Sequence, residues 1–179
     1  VRCYRYWPEL SSDCRLMTKL LRDLTDYSMS DQLTKQRSDL CNLLRRAYLS
    51  CLPLTEGTNK TLTYTSRVSC AYMPLDSPKM MEALLNLIVN ALDAVSDNGS
   101  VQIILTKSNE QFVVSIIDDG CGIAPKQLLT IFHPFTTTKP DGTGLGLPVA
   151  KRIIEGHGGH IRVSSAPNQG ATFTFLLPC

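Results

Sequence analysis

This chain contains two glycine-rich stretches, Asp118-Asp119-Gly120-Cys121-Gly122-Ile123 and, further along, Gly142-Thr143-Gly144-Leu145-Gly146-Leu147. The first follows an apolar run that predicts a strand, and the second precedes a segment with helical periodicity. Glycine lets the backbone approach a ligand closely, and the N–H groups at a helix start attract phosphate. Either stretch alone is weak evidence, but the two together predict a nucleotide pocket.

The composition fits one packed α/β domain with an appended helical segment. The chain has 179 residues, 43% of them hydrophobic and 19% charged, with a net charge of +2. Lys and Arg are scattered along the sequence, so we expect no binding of nucleic acid. The seven cysteines form no Cys-x-x-Cys pair, which argues against a metal or disulfide scaffold.

The sequence also predicts a cytoplasmic location. No stretch approaches the roughly 18 apolar residues that span a bilayer, and the first residues do not resemble a signal peptide. The chain begins with Val1 rather than Met, so we expect a fragment of a longer parent protein. This fragment should not insert into a membrane itself, although the parent can be anchored there.

Periodicity predicts an α+β fold. Apolar stripes predict helices over residues 16–27 and 40–51, separated by a polar connector over 31–37. The later elements are a strand around 62–68 closed by Met73-Pro74, a helix over 76–95, a hairpin of 101–107 and 111–118, a short helix over 125–132, a loop over 133–146, a helix over 147–155 and a hairpin of 161–165 and 172–177. We expect a two-layer sandwich of a mixed, mostly antiparallel sheet with helices on one face and a mobile lid, preceded by a helical segment.

Two asparagines interrupt the apolar helix predicted over residues 76–95. Asn86 and Asn90 are four residues apart and therefore share a face. An amide oxygen can ligate Mg²⁺, which keeps several waters and shares the phosphates of a substrate. The alternative is that both amides bond neighbouring backbone.

Asp118 ends a strand of apolar residues, so its carboxylate is predicted at the strand mouth. There it can accept a hydrogen bond from an exocyclic amine. For this motif alone, the alternative is an aspartate that only forms a turn before glycine.

Four motifs in this order resemble the catalytic ATP-binding domain of sensor histidine kinases. They are the N box over residues 86–91, the G1 box over 118–122, the F box over 132–139 and the G2 box over 142–147. The resemblance covers about residues 76–178 and extends to the gyrase, heat-shock chaperone and mismatch-repair ATPases. The residues of the F and G2 boxes are most similar to those of the nitrogen-regulation type of kinase.

The resemblance implies that ATP and Mg²⁺ bind here. Asn90 would hold the Mg²⁺ with Asn86 assisting, and these two residues with Lys139 would form the catalytic set. The residues it assigns to the nucleotide are Asn90, Asp118, Gly120, Gly122, Ile123, Phe135, Thr138, Lys139, Gly142, Thr143, Gly144, Leu145, Gly146, Leu147 and Thr172. Phe132 and Phe135 would anchor the lid, unless they are simply a pair of core phenylalanines.

Two positions depart from the patterns of related proteins. Asp119 stands where this family frequently has Asn, and its role is open. Related ATPases carry Glu where this chain has Asn86, as the base that activates water. Because an amide cannot accept that proton, we expect poor hydrolysis and transfer to a protein acceptor instead. Glu82, one turn earlier, could reach toward the site, but a solvated helix face is the simpler interpretation.

The resemblance implies a protein histidine kinase, and such an enzyme needs a histidine nucleophile on a helix. The three histidines of this chain are His133 in the lid motif and His157 and His160 in a glycine-rich turn. None lies on a helical stripe, and His157 is expected to bond backbone at a helix end. We therefore expect the phosphoacceptor helix to lie elsewhere in the parent, so that this fragment alone does not phosphorylate itself.

The resemblance also divides the chain. Residues 1–30 would be a remnant of a helical dimerisation hairpin, 31–55 a connector and the first helix of the ATP domain, and 56–179 the catalytic ATP-binding domain. The γ-phosphate would pass from ATP to the histidine and then to the aspartate of a response-regulator receiver domain, in a homodimeric parent. The alternatives are a serine-directed kinase on the same fold and an ATP-gated interaction module without catalysis.

Overall fold

Seven strands and four α-helices form the part of the chain that the computed structural model describes, residues 33–139 and 142–179. The strands are β1 (Gln36–Asp39), β2 (Thr61–Ser66), β3 (Tyr72–Leu75), β4 (Ser100–Ser108), β5 (Gln111–Asp118), β6 (His160–Ser165) and β7 (Ala171–Pro178). The helices are α1 (Leu40–Cys51), α2 (Ser77–Ala94), α3 (Pro125–Leu128) and α4 (Gly146–Gly156). The helix predicted over residues 16–27 lies outside the described residues.

The main sheet has five strands in the order β2-β4-β5-β7-β6. Strand β2 runs parallel to β4, and every other neighbouring pair is antiparallel. Strands β1 and β3 form a separate antiparallel pair. The prediction of an α+β fold with a mixed, mostly antiparallel sheet is therefore confirmed.

The core lies between one face of this sheet and the helices. Alternate residues of β5 and β7 are buried, as expected for strands with one face covered. Helix α2 packs against β4, β5, α1 and α4, so it runs through the middle of the helical layer. None of the helices in the described residues has the length and apolarity that a membrane crossing requires.

Three predicted boundaries were wrong. The connector predicted over 31–37 ends in β1, and Met73-Pro74, expected to close a strand, lies inside β3. Pro74 has no N–H to donate, but it is tolerated because β3 has only one neighbour. The helix predicted over 125–132 is regular only over Pro125–Leu128 and continues as turns.

A network of hydrogen bonds joins the start of α2 to the end of α4. Asp76 caps α2 by accepting from Lys79 N at 3.1 Å, and its other oxygen accepts from Thr34 N at 2.9 Å. The backbone N–H of Asp76 donates to His157 Nε2 at 2.9 Å. His157 Nδ1 lies 2.7 Å from Ile153 O and must donate to it. Because one ring nitrogen donates and the other accepts, the buried imidazole is neutral, and burial lowers its pKa. Both ring nitrogens of His157 bond backbone at the end of this helix.

Acidification should destabilise the fold through His157. A pKa that is lower in the folded than in the unfolded chain means that the unfolded chain takes up the proton first. The contribution of His157 is thus complete above about pH 6.5 and is lost as the pH falls toward the folded pKa, by at most about 1.4 kcal/mol per pH unit. Urea unfolding at several pH values should show this slope in the wild type and in His160→Gln, an exposed control. His157→Gln should remove it, and parallel slopes in His157→Gln and the wild type would contradict the assignment.

Candidate functional site

The two asparagines of α2 meet the start of α4. Asn86 and Asn90 are both half-buried and share one face of the helix. A Cβ atom built on Gly146, the first residue of α4, would lie 3.4 Å from Asn86 Oδ1. The unpaired N–H groups at a helix start attract negative charge. The structure therefore brings the asparagine face and the predicted phosphate site together.

Asp118 lies at the end of β5 with one carboxylate oxygen held by backbone. Its side chain is 5% exposed, and Oδ1 accepts from Gly120 N at 3.0 Å and Ala171 N at 3.1 Å. Within the described residues Oδ2 accepts no hydrogen bond, and no fully buried side-chain oxygen there lacks a partner. Oδ2 is thus open to a ligand. Burial raises the pKa of Asp118, and the two backbone donors partly oppose that rise.

The turn after Asp118 is clamped between α2 and β7. A Cβ atom on Gly120 would clash with Ala94 O, which is the acceptor for Cys121 N at 3.1 Å. On the other side, Gly170 N donates to Gly120 O at 3.0 Å. Gly120 is therefore required for close packing on the end of α2, a role that the sequence motif does not reveal.

Asp119 turns away from Asp118 and holds the start of β4. Its two carboxylate oxygens accept from Ser100 N at 2.8 Å and from Ser100 Oγ at 2.7 Å. These bonds lower the pKa of Asp119, with the backbone donor as the larger cause. The role that the sequence left open is thus a structural one.

Lys139 reaches from the loop to the asparagine face. Its ammonium donates to Asn90 Oδ1 at 3.1 Å and to Asp93 Oδ2 at 2.9 Å. The loop backbone is shaped by Thr137, whose Oγ1 accepts from Lys139 N at 3.0 Å, and by a bond of 3.1 Å from Gly142 N to Lys139 O. Neither Asp93 nor Thr137 was predicted. Asp93 could have been found from its position three residues after Asn90, one turn along the same helix.

The two phenylalanines of the F box have different environments. Phe132 packs edge-on against the core residue Phe173, with ring centroids 6.5 Å apart. Phe135 is 60% exposed and has a φ of 64°. Gly144, at φ 67°, lies directly against the Phe135 backbone and accepts its N–H at 3.1 Å. Phe132 thus packs on the core, whereas the Phe135 ring is exposed, so the two are not a pair of core phenylalanines.

The structure does not place Thr172 beside Asp118. In the paired register Asp118 is opposite Ala171, whereas Thr172 is opposite Ile117. Because successive strand residues point to opposite faces, Thr172 lies on the other side of the sheet. The correct neighbour of Asp118 is Ala171, and counting strand alternation back from Phe173 could have identified it.

The remaining predicted site residues differ in how deeply their side chains are buried. Thr138 is exposed, whereas Leu145 is fully buried and can offer a ligand only its backbone. Ile123 is half-buried with its N–H bonded to Ser165 Oγ at 2.8 Å, and Leu147 packs against the core.

Two further predicted residues shape the turns. Thr143 Oγ1 accepts from Leu145 N at 3.4 Å, just before α4. Gly122, at φ 69°, packs against Ala166 O. Both glycine-rich stretches are therefore held by contacts within the protein.

Comparison with known proteins gives a family match and curated relatives. The family model described as histidine kinase-, DNA gyrase B- and HSP90-like ATPase matches residues 75–179. The sensor histidine kinase ZraS of Salmonella typhimurium is 32% identical over 170 residues, which cover 94% of this chain and 37% of ZraS. The signal transduction histidine-protein kinase AtoS of Escherichia coli is 36% identical over 165 residues, covering 90% of this chain and 27% of AtoS. The chain thus spans well under half the length of these relatives.

The fold is similar to that of a solved kinase domain. The nucleotide-free catalytic domain of the histidine kinase ThkA superposes with a TM-score of 0.75 at 29% sequence identity. The match covers 82% of this chain and 96% of that domain.

Removing the Asp119 carboxylate should weaken the fold. Asp119→Ala leaves Ser100 N and Oγ without their acceptor, which should cost about 1 kcal/mol in the free energy of unfolding. Asp119→Asn keeps one acceptor oxygen and should lose less. The measurement is the midpoint of urea unfolding at pH 7, and equal midpoints for the wild type and Asp119→Ala would refute this role.

Proposed function

The chain belongs to the histidine kinase-, DNA gyrase B- and HSP90-like ATPase family, and from that membership we propose that it is the ATP-binding catalytic part of a sensor histidine kinase. It binds Mg-ATP and donates the γ-phosphate to a histidine on a dimerisation helix, for relay to a response-regulator aspartate. One observation carries the proposal: the other three motifs all contact α2, the helix that carries Asn86 and Asn90. Asn86 meets the start of α4 and Asn90 meets Lys139, while the Asp118 turn packs on the helix end.

The adenine is recognised by Asp118. Its Oδ1 is occupied by two backbone donors, so its orientation is fixed, and Oδ2 is left to accept from an exocyclic amine. A carboxylate that cannot rotate favours a purine with an amino group over one with a carbonyl at that position. This supports ATP rather than GTP as the substrate.

The phosphates are held at the start of α4 and by Lys139. Helix α4 runs from Gly146 to Gly156, long enough for its dipole and its unpaired N–H groups to favour an anion. The ammonium of Lys139 lies on the same face of α2 that the start of α4 touches. The start of α4 and the N–H donors of Lys139 would thus meet the phosphates from two sides.

Asn90 is the residue that would hold Mg²⁺. Among the described residues no three His, Cys, Asp or Glu side chains gather into a metal site, so an ion here would depend on amide oxygen and on the phosphates. Asn90 Oδ1 fits this role because it accepts one hydrogen bond, from the ammonium of Lys139 at 3.1 Å, and an amide oxygen has a second lone pair for an ion. When bound, Mg²⁺ would neutralise phosphate charge.

The acceptor of the phosphate is proposed to be outside this chain. His157 is buried with both ring nitrogens bonded, so neither nitrogen is available as a nucleophile. His133 and His160 are exposed, but neither lies in one of the described helices. The histidine is therefore proposed to lie on a dimerisation helix of a homodimeric parent.

Loss of either recognition residue should weaken nucleotide binding. Asp118→Ala and Asn90→Ala should each cost about 1–3 kcal/mol in the binding of Mg-ATP, as for a lost buried polar contact. The measurement is isothermal titration calorimetry, with the exposed Asp97→Ala as a carboxylate control that keeps wild-type affinity. Asp118→Asn should also reduce the preference for ATP over GTP. Wild-type affinity in both alanine variants would rule out this site.

Phosphate transfer should require a second polypeptide. Incubated alone with γ-labelled ATP, this chain should acquire no acid-labile label, whereas adding the dimerisation segment of its parent should give label on that segment. An acid-labile, base-stable product indicates phosphohistidine. Acid-stable label would indicate a serine-directed kinase, and intact ATP binding without any transfer would indicate a non-catalytic module; either result would overturn the proposed activity.

A further inference from the structure

Lys139 is held on α2 by a carboxylate that belongs to none of the predicted motif assignments. Its ammonium lies 2.9 Å from Asp93 Oδ2 and 3.1 Å from Asn90 Oδ1. Both bonds have a charged donor, but only the bond to Asp93 joins two opposite charges, and Coulomb attraction makes it the stronger of the two. Asp93 is therefore the main anchor of the lysine, and Asn90 is the second point that sets its direction.

The backbone around Lys139 provides little else to fix its long side chain. Thr137 Oγ1 and Gly142 N bond to the main chain of Lys139 and leave its Nζ free to turn. The side chain is 40% exposed, and that of Asp93 is 52% exposed. A flexible ammonium at this exposure loses side-chain entropy when it is held at one place. The pair with Asp93 offsets that loss before any ligand arrives.

An unpaired carboxylate beside a phosphate site would repel the ligand. Asp93 lies three residues from Asn90, one turn along the same helix. Its charge is cancelled by the ammonium that it binds, so the pair as a whole does not oppose an anion. The geometry combines this neutralisation with a fixed direction for the lysine, toward Asn90.

We propose that Asp93 is a positioning residue that holds the Lys139 ammonium at Asn90, ready for the phosphates of ATP. The inference rests on the proposed function, because it takes Lys139 and Asn90 as parts of the nucleotide site. Asp93 itself touches neither the base nor the transferred phosphate in this proposal. It acts through Lys139.

Asp93→Asn distinguishes the positioning of Lys139 from a simple charge effect, because the two predict opposite changes in the affinity for ATP. If Asp93 were only a negative charge near the phosphates, its neutralisation would strengthen ATP binding. If it positions Lys139, the same substitution frees the ammonium and weakens binding. An exposed ion pair contributes up to about 1 kcal/mol, so the expected loss of affinity is about two- to fivefold.

The experiment is a double-mutant cycle read by isothermal titration calorimetry with ATP, in Mg²⁺ and again in EDTA. Wild type, Asp93→Asn, Lys139→Met and the double variant are compared. Asp93→Asn should weaken binding in the wild-type background and should not weaken it in the Lys139→Met background. Because the effect passes through the lysine, it should persist in EDTA. Asp93→Glu, which keeps the charge, should recover most of the affinity.

Glu82→Gln is the matched control. Glu82 lies on the same helix and pairs with Lys79 at 3.0 Å, so its substitution also removes one carboxylate from an ion pair but leaves Lys139 in place. It should leave ATP affinity unchanged. Urea midpoints for Asp93→Asn and the wild type should agree, since an exposed pair contributes little to folding.

Three results would overturn the positioning role: equal or tighter ATP binding by Asp93→Asn, the same weakening in both backgrounds, or an effect that vanishes in EDTA. These results differ from failure of the proposed function. In that case the wild type itself would show no ATP binding that depends on Asp118. Wild-type binding that is lost in Asp118→Ala but not weakened by Asp93→Asn refutes the Asp93 inference alone.

Discussion

Helix α2 is fixed at both ends by backbone hydrogen bonds, and the site depends on this. At its start, Asp76 N donates to the neutral ring of His157; at its end, Ala94 O accepts from Cys121 N in the turn after Asp118. The first bond ties α2 to the end of α4, and the second ties it to the turn after Asp118, which is proposed to bind the base. Since α2 carries both asparagines, these contacts would set the distance between the proposed adenine and phosphate ends of the site.

The sequence predicted the elements with strong periodicity and missed those without it. Helix α2 and the β4–β5 hairpin have regular apolar spacing, so their residues on one face could be identified directly. Strands β1 and β3 each have four residues, too few for a pattern, and Pro74 indicated a strand end. A proline is acceptable there only because β3 lacks a second neighbour, a property of the sheet that local sequence does not contain.

The same limit applies to the site. Residue types and their order predict that Asn86, Asn90, Asp118 and Lys139 share one site; in the structure Lys139 bonds to Asn90, and the turn after Asp118 packs on the end of the helix that carries both asparagines. Motif matching does not tell which way a side chain points, and so it assigned Thr172 to the wrong face of β7. It also omitted Asp93: the position of this residue one turn from Asn90 could be read from the sequence, but its pairing with Lys139, 46 residues away, could not. Contacts between distant segments depend on packing, and no local pattern encodes them.

The proposed transfer to a protein rather than to water rests on what surrounds Asn86. This amide contacts the start of α4, where a water-activating base would be required for hydrolysis, and an amide cannot take up a proton at neutral pH. Glu82, one turn earlier, pairs with Lys79 at 3.0 Å, so its carboxylate is directed toward its own helix turn. A site with no base at this position favours a nucleophile that can attack without first losing a proton. A neutral imidazole is such a nucleophile.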